Sequence, residues 1–282
     1  MRVLVTGAAG LLGSAVTRVF RAAGHDVHAV DRSALDITDS TAVGDLTRRV
    51  RPQAIVNCAA FNDVDGAEDD PTLALKVNAV AVTGLARAAR DAGSVLVHYS
   101  TDFVFDGETS RPYVESDAPN PQSVYASSKL LGEYLAADAP RHYVLRVESL
   151  FGPAASGRTR RGSLGTIVER LQKGETVRVF VDRTVSPSFT ADVAEATRQL
   201  IESGAQSGLY HCVNAGAATW LAIAQYAAQR LGVALDAHPL TLETAKMRAR
   251  RPRFCAMSPE RLASLGIVMP DWRDALARYL AG

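Results

Sequence analysis

Cysteine is scarce in this chain. Of 282 residues only Cys58, Cys212 and Cys255 are cysteines, far apart and with no C-x-x-C pair. Neither a disulfide framework nor a thiolate zinc site is indicated. Cys58 and Cys212 lie inside apolar runs, as buried thiols of a reducing compartment do. The six histidines have no metal-ligand spacing, so no metal is expected, and His98 and His211 fall in strand patterns and read as structural. Long apolar runs are missing too. Nothing approaches the ~18 residues of a membrane span. The opening MRVLVTGAAG enters a strand and a glycine turn without the apolar stretch of a signal peptide. The expectation is a cytoplasmic protein with no membrane partner. Neither sign of charge is in excess: 31 basic and 30 acidic side chains leave a net +1, which gives no reason to expect nucleic acid. There is no internal repeat and no low-complexity tract.

What is present is a core-forming α/β pattern. Residues are 47% hydrophobic, enough for a large core. The runs RVLVT (2–6), DVHAV (26–30), AIVNCAA (54–60), VLVHYST (95–101), YVLRV (143–147) and LYHCVN (209–214) lack polar alternation, as strands covered on both faces do. Helical patterns lie between them, over about 13–23, 72–92 and 122–138. Strand–helix–strand alternation of this kind predicts a doubly wound, Rossmann-type parallel sheet. After residue 150 the pattern loosens: a polar Gly- and Arg-rich loop (152–163), a helix to about Lys173, a strand VRVFV (177–181), and helices near 190–203 and 219–232. The reading is a dinucleotide-binding domain over 1–150 and a mainly substrate-binding lobe over 151–282. This smaller α/β lobe is interleaved, the main sheet being rejoined by about 188–214.

The turn TGAAGLLG sets Gly7, Gly10 and Gly13 between the first strand and the first helix. Glycine lets backbone approach a pyrophosphate, and a helix N-terminus offers it free N–H groups. Gly7, Ala9, Gly10, Leu11 and Leu12 are the expected contacts of NAD(H) or NADP(H); a turn with no ligand is the alternative. Asp31 and Arg32 end the second strand, where the adenosine ribose is expected. Asp accepts from ribose hydroxyls and repels a 2′-phosphate, whereas Arg attracts it, so both cofactors stay open. Asp36 and Ile37 are candidates to flank the adenine. For all four the alternative is an ordinary turn.

Tyr125 and Lys129 are four apart on the third helical pattern and so share a face. A phenol with an ordinary pKa near ~10 is a protonated donor at neutral pH. A neighbouring ammonium stabilises the phenolate left behind, and lysine can also hold ribose hydroxyls. Thr101 closes the fourth strand, at the carboxyl end where α/β ligands bind, and can hydrogen-bond a carbonyl undergoing reduction. Ser100 stands beside it as a candidate cofactor contact. Taken alone, Y-x-x-x-K is equally a surface pair; order and spacing give it weight.

These residues resemble an extended short-chain dehydrogenase/reductase and, more narrowly, the dTDP-4-dehydrorhamnose reductase family. The likeness runs nearly end to end, through TGAAGLLG, NCAAFNDVDGAEDDPTLALKVNA (57–79), STDFVFDG (100–107), PYVESDAPNPQSVYASSKLLGE (112–133), GLYHCVNAGAATW (208–220) and RPRFCAMSPERL (251–262). The resemblance implies hydride transfer from NAD(P)H to the keto carbon of a nucleotide-linked deoxysugar. Tyr125 would give the proton, Thr101 polarise the carbonyl and Lys129 hold the nicotinamide ribose. Cys58, Ala59 and Ala60 would line the cofactor trough, and Asn78 would order the active-site backbone. Asn62, Phe103, Ser149, Arg183 and Arg251 become the substrate candidates, and a homodimer the suggested assembly.

The chain also departs from that family. Ser149, with Glu148 before it, stands where a tryptophan usually follows the fifth strand. Arg183 replaces a usual glutamine, and Ser163-Leu164 an Asn-Phe pair. The fold and cofactor carry over; the identity of the sugar does not. Arg158, Arg160, Arg161, Arg248, Arg250, Arg251 and Arg253 are candidate diphosphate partners or else a solvated or interface face, with Arg251 and Arg183 the better placed. Two other functions compete with the reductase. One is an epimerase or dehydratase of the same fold. In such dehydratases Asp-Glu commonly follows the strand-end Thr, whereas Asp102-Phe103 follows here. The other is a non-catalytic NAD(P)-binding subunit, like the regulatory subunit of methionine adenosyltransferase.

Overall fold

The structure is a computed structural model that describes residues 1–153 and 162–282. Arg158, Arg160 and Arg161 lie outside the described residues. The first half alternates as β1 (Arg2–Thr6), α1 (Leu11–Ala22), β2 (Asp26–Val30), α2 (Ser40–Val50) and β3 (Ala54–Asn57). The helical stretch that follows comes in pieces: α3 (Val64–Asp69), α4 (Pro71–Leu75), a π-helical turn at Lys76–Val80, and α5 (Ala81–Ala92). Then come β4 (Val95–Thr101), a 3₁₀ turn at Asp102–Val104, α6 (Val124–Ala136), β5 (His142–Val147) and β6 (Leu150–Phe151). The second half holds α7 (Gly162–Lys173), β7 (Val177–Phe180), β8 (Thr184–Val185), β9 (Ser188–Phe189), α8 (Thr190–Ser203) and β10 (Gly208–His211). It ends with β11 (Ala218–Thr219), α9 (Trp220–Leu231), β12 (Ala237–Leu240), α10 (Glu260–Ala263) and α11 (Trp272–Ala281).

Six strands form one sheet in the order β10-β5-β4-β3-β1-β2, and every pairing in it is parallel. That is the doubly wound sheet the apolar runs predict. Parallel strands are buried on both faces, which is why all seven residues of β4 and all four of β3 are buried. One face packs α1 and α8 around Val5, Val16, Phe20, Val97 and Leu200. The other packs α2 and α5 around Leu4, Ile55, Val82, Leu85 and Leu96. A separate core of Phe151, Leu164, Ile167, Val179, Ile223 and Trp272 holds α7, α9 and α11 around the short strands.

Helix starts follow local chemistry. The Asp39 carboxylate accepts the Ala42 N–H at the head of α2, and Asp70 accepts the Leu73 N–H just before Pro71. The Ser123 hydroxyl oxygen accepts the Ala126 N–H, which starts α6 so that Tyr125 stands in its first turn. The strand order reverses between β1 and β3. At such a switch point the loops leaving the carboxyl ends of the strands open a ligand crevice.

Candidate active site

Gly7 follows β1 with φ +63°, and Cys58 and Ala59 follow β3. A Cβ on Gly7 would lie 2.6 Å from the Ala59 nitrogen and 2.7 Å from the Cys58 carbonyl carbon. The two loops therefore meet backbone to backbone, and the position requires glycine both for its sign of φ and for space. Gly10 caps α1 without a side chain, leaving the helix's first N–H groups to other partners. Beside this turn is a cleft of about 730 Å³, lined by Ala8, Ala9, Thr17, Arg18, Arg21 and Asp31. The backbone cradle, helix start and cleft fit the pyrophosphate and adenosine of a dinucleotide.

The cleft carries groups for either cofactor. The Asp31 carboxylate accepts the Ser33 N–H at 2.9 Å and its hydroxyl at 2.6 Å, which fixes the carboxylate at the end of β2. Arg18 lines the cleft and Arg32 is exposed beside Asp31. Asp36 closes a turn of its own by accepting the Thr38 N–H and hydroxyl, and those bonds hold its carboxyl below the usual range. Ile37 is buried in the core with Leu35 and Val43.

Across the switch point, β4 delivers Tyr99, Ser100 and Thr101, and α6 delivers Tyr125 and Lys129. All five are buried. Lys129 donates from Nζ to the Tyr99 carbonyl at 2.5 Å. Burial pushes its pKa down to about 8, and the nearby Glu133 carboxylate and Cys58 sulfur pull it back up. Burial pushes the Tyr125 phenol well up; the Asp102 charge adds to this and a hydrogen bond with the Thr101 side chain opposes it. Thr101 itself donates to Asp102 Oδ1 at 2.9 Å and accepts the Phe103 N–H at 3.3 Å. In this state its hydrogen is therefore engaged by Asp102, where the sequence suggested a carbonyl.

Asn78 sits in the π-helical turn. Its Oδ1 accepts the Phe61 N–H at 2.8 Å, and its Nδ2 donates to the Phe61 carbonyl and to Ser128 Oγ, each at 3.0 Å. It thus ties the loop after β3 to α6, close to Tyr125. Irregular helical turns of this type recur at functional sites.

Ser100 turns its hydroxyl to Glu133 at 2.5 Å, and Arg146 grips the same carboxylate through two bonds of 2.8 and 2.7 Å. This buried group supports α6 from behind. Glu133 follows Lys129 by one helical turn, an i,i+4 spacing that sequence reading passed over.

The substrate candidates divide. Phe103 stands edge-on to Tyr125, ring centroids 5.8 Å apart. The Arg183 guanidinium lies over Phe103 at 5.6 Å and over Phe180 at 5.8 Å, and bonds the Pro252 carbonyl. Ser149 holds φ +43°, an uncommon backbone state for a residue with a Cβ. Asn62 is exposed on the loop after β3. Arg251 is farther along the C-terminal segment and clamps Asp65 of α3 through both carboxylate oxygens, at 2.6 and 2.9 Å. Arg248 pairs with Asp69 in the same seam, and Arg250 reaches Glu108 at 3.7 Å. With Arg253 these arginines border a second cleft of about 480 Å³.

Sequence spacing gave no sign of one further cluster. Asp102, Glu148 and Cys255 bring a carboxylate oxygen each and the Sγ within 4.8 Å of one another, all buried, and the Arg183 guanidinium donates to Cys255 Sγ at 3.5 Å. Burial pushes the Asp102 carboxyl up to about 6, against the pull of Arg183. The Glu148 carboxyl is pushed well up by burial and by the Asp102 charge. His98 and His211 are buried in strands and bonded to Asn57 and to the Tyr113 carbonyl. Among the described residues no helix is long and apolar enough to cross a membrane.

The parallel sheet, the glycine turn and the Thr–Tyr–Lys set together define an NAD(P)-dependent oxidoreductase of the extended short-chain dehydrogenase/reductase class. Comparison narrows this. The family described as RmlD substrate binding domain matches residues 1–282, and the chain belongs to that family. It is 36% identical to a dTDP-4-dehydrorhamnose reductase of Streptomyces griseus, covering 98% of this chain and 91% of that protein. It is 35% identical to a probable dTDP-4,6-dihydroxy-2-methyloxan-3-one 4-ketoreductase of Streptomyces antibioticus, covering 98% and 93%. Its fold matches the crystal structure of the Bacillus anthracis dTDP-4-dehydrorhamnose reductase in complex with NADP. The TM-score is 0.93 at 29% identity, over 99% of this chain and 98% of that one.

Proposed function

We propose that this protein reduces the keto group of a dTDP-linked deoxysugar with NADH or NADPH, on the pattern of the dTDP-4-dehydrorhamnose reductases. The observation that carries the reading is the meeting of Thr101, Tyr125 and Lys129 at the carboxyl end of β4, with Lys129 close to Cys58 and Cys58 packed on the cofactor turn. When bound, the dihydronicotinamide supplies a hydride to the keto carbon. Tyr125 gives its phenolic proton to the carbonyl oxygen as negative charge gathers there. Its raised pKa keeps the phenol protonated until that moment. Lys129, one turn on, stabilises the phenolate and holds the nicotinamide ribose. Thr101 keeps the phenol oriented, and Asn78 keeps the Phe61 backbone in place beside it.

In this reading residues 1–150 carry the cofactor and 151–282 mainly the sugar nucleotide. Phe103, Ser149 and Arg183 lie on the sugar side, and Asn62 and Arg251 toward the nucleotide. A cytoplasmic location and a homodimer belong to the same proposal.

The test is oxidation of NADH and NADPH in the presence of dTDP-4-keto-6-deoxy sugars. Net oxidation that falls by about 10²–10⁴ in Tyr125→Phe, with cofactor binding kept, supports the reductase. Tight cofactor binding without turnover on any such sugar points instead to a non-catalytic subunit. An isomerised or dehydrated sugar formed without net oxidation points to an epimerase or dehydratase.

A further inference from the structure

Behind Thr101 is a cluster that the proposed chemistry does not use. Asp102 is 3% and Glu148 1% exposed, yet each carboxyl has only half its hydrogen bonding satisfied. Asp102 Oδ1 accepts the Thr101 hydroxyl, and Glu148 Oε2 accepts the Ser186 N–H at 2.7 Å. Among the described residues neither Asp102 Oδ2 nor Glu148 Oε1 has a hydrogen-bond partner, and the Cys255 thiol beside them donates to the Pro252 carbonyl at 3.4 Å. Oxygen atoms of the two carboxyls approach within 4.8 Å. Among the described residues the titratable or charged groups that act on the pair are Tyr125 from α6, Arg183 from the segment between β7 and β8, and Cys255 from the C-terminal segment. Of these only Arg183 is cationic, so two carboxyls face one positive charge.

Two buried carboxylates cannot both stay ionised opposite a single guanidinium, and an unpartnered buried carboxylate oxygen is costly. One proton resolves both difficulties. Placed on Glu148 it leaves one charge for Arg183, and from within 4.8 Å a small turn of the carboxyl brings Oε1 to donate to Asp102 Oδ2, satisfying both orphan oxygens. Each carboxyl accepts one hydrogen bond, but the Arg183 charge bears more strongly on Asp102 than on Glu148, so Glu148 is the better holder of the proton.

We infer that Glu148 stays a neutral carboxylic acid, and that its proton holds Asp102 as the single carboxylate orienting Thr101 against Tyr125. Glu148 and Asp102 are then positioning residues. They touch neither sugar nor cofactor in this account and act through Thr101. If Glu148 lost its proton, a second buried negative charge would stand near Tyr125. It would oppose formation of the phenolate and slow proton donation by about tenfold. The activity part of the inference rests on the reductase reading; the protonation part does not.

The experiment is difference infrared spectroscopy of the full chain without ligands, titrated with pH. It is paired with pH profiles of turnover for the parent, Glu148→Gln and Asp102→Asn. The parent should show a buried carboxylic-acid C=O band at neutral pH that is missing in Glu148→Gln. In Asp102→Asn the same band should titrate away at lower pH, because the neighbouring charge is removed. Lys129 gives every protein an alkaline limb. The parent should lose about tenfold beyond that limb, whereas Glu148→Gln, with a neutral group that can still donate to Asp102, should not. A neutral-pH spectrum without the band, or a band that survives in Glu148→Gln, overturns the inference. So do superimposable alkaline profiles of parent and Glu148→Gln. If no sugar is reduced at all, the reductase reading fails and the infrared titration still decides the protonation.

Discussion

Replacing Gly132 by alanine tests whether α6 is positioned by the π-helical turn. A Cβ at residue 132 would sit 2.2 Å from the Asn78 carbonyl oxygen and 3.1 Å from His98 Nε2. The first neighbour is backbone and has no rotamer to change. To regain ordinary contact, α6 must withdraw from the turn by roughly 1 Å. Both Tyr125 and Lys129 ride on that helix. A displacement of about 1 Å in a reacting group lowers a rate by about 10²-fold. Overpacking costs about 1–3 kcal/mol, and the better helix propensity of alanine offsets about 1 kcal/mol of it. The expected variant therefore melts only a few degrees lower. NADPH binding should weaken only modestly, since the glycine turn is untouched and only Lys129 shifts, while kcat falls by about two decades. Turnover with a dTDP-4-keto-6-deoxy sugar, NADPH titration and calorimetry measure the three effects. Parental kcat and an unchanged Tm would refute the reasoning: α6 would then not be held where Asn78 meets it.

Three other outcomes follow from the same geometry. Glu133→Gln leaves the buried Arg146 guanidinium without its charge partner, which should cost about 3–5 kcal/mol in urea unfolding. It also removes a charge that raises Lys129, so the alkaline limb of activity should move to lower pH. Asp31→Ala should shift preference toward NADP(H) relative to NAD(H), read as a ratio of kcat/KM values; an unchanged ratio would place the ribose elsewhere. The pKa of His211 falls from the ordinary 6.5 to about 3 on burial, so in that interval the unfolded chain binds the proton and the folded chain does not. Stability should therefore decline as pH drops from about 6.5 toward 3, and His211→Gln should flatten that slope in acid melting curves.

Much of the sheet was legible because a parallel strand writes itself as an uninterrupted apolar run. RVLVT, DVHAV and VLVHYST match the observed β1, β2 and β4 residue for residue. Helix 72–92 was legible as helix but not as three pieces. The π-helical turn at Lys76–Val80 is fixed by what Asn78 reaches, and side-chain periodicity does not encode that. Thr101, Tyr125 and Lys129 could be grouped because one strand end and one helix face carry them. Asp102, Glu148, Arg183 and Cys255 could not, since four separate segments bring them together. Arg251 shows the opposite limit. Its residue type suits a diphosphate, but its position relative to Asp65 depends on how the C-terminal segment folds back on α3. Ser100 looked like a neighbour of the cofactor; strand alternation and the buried Glu133 draw its hydroxyl into the support of α6.

The most direct measurement is isotope transfer in a single turnover. The protein is mixed with a dTDP-4-keto-6-deoxy sugar and NADPH deuterated at the transferring position of the nicotinamide C4, and the sugar product is weighed by mass spectrometry. The account predicts one deuterium on the reduced carbon, and none above background in the same interval for Tyr125→Phe. Deuterium transfer at an undiminished rate in Tyr125→Phe would contradict it.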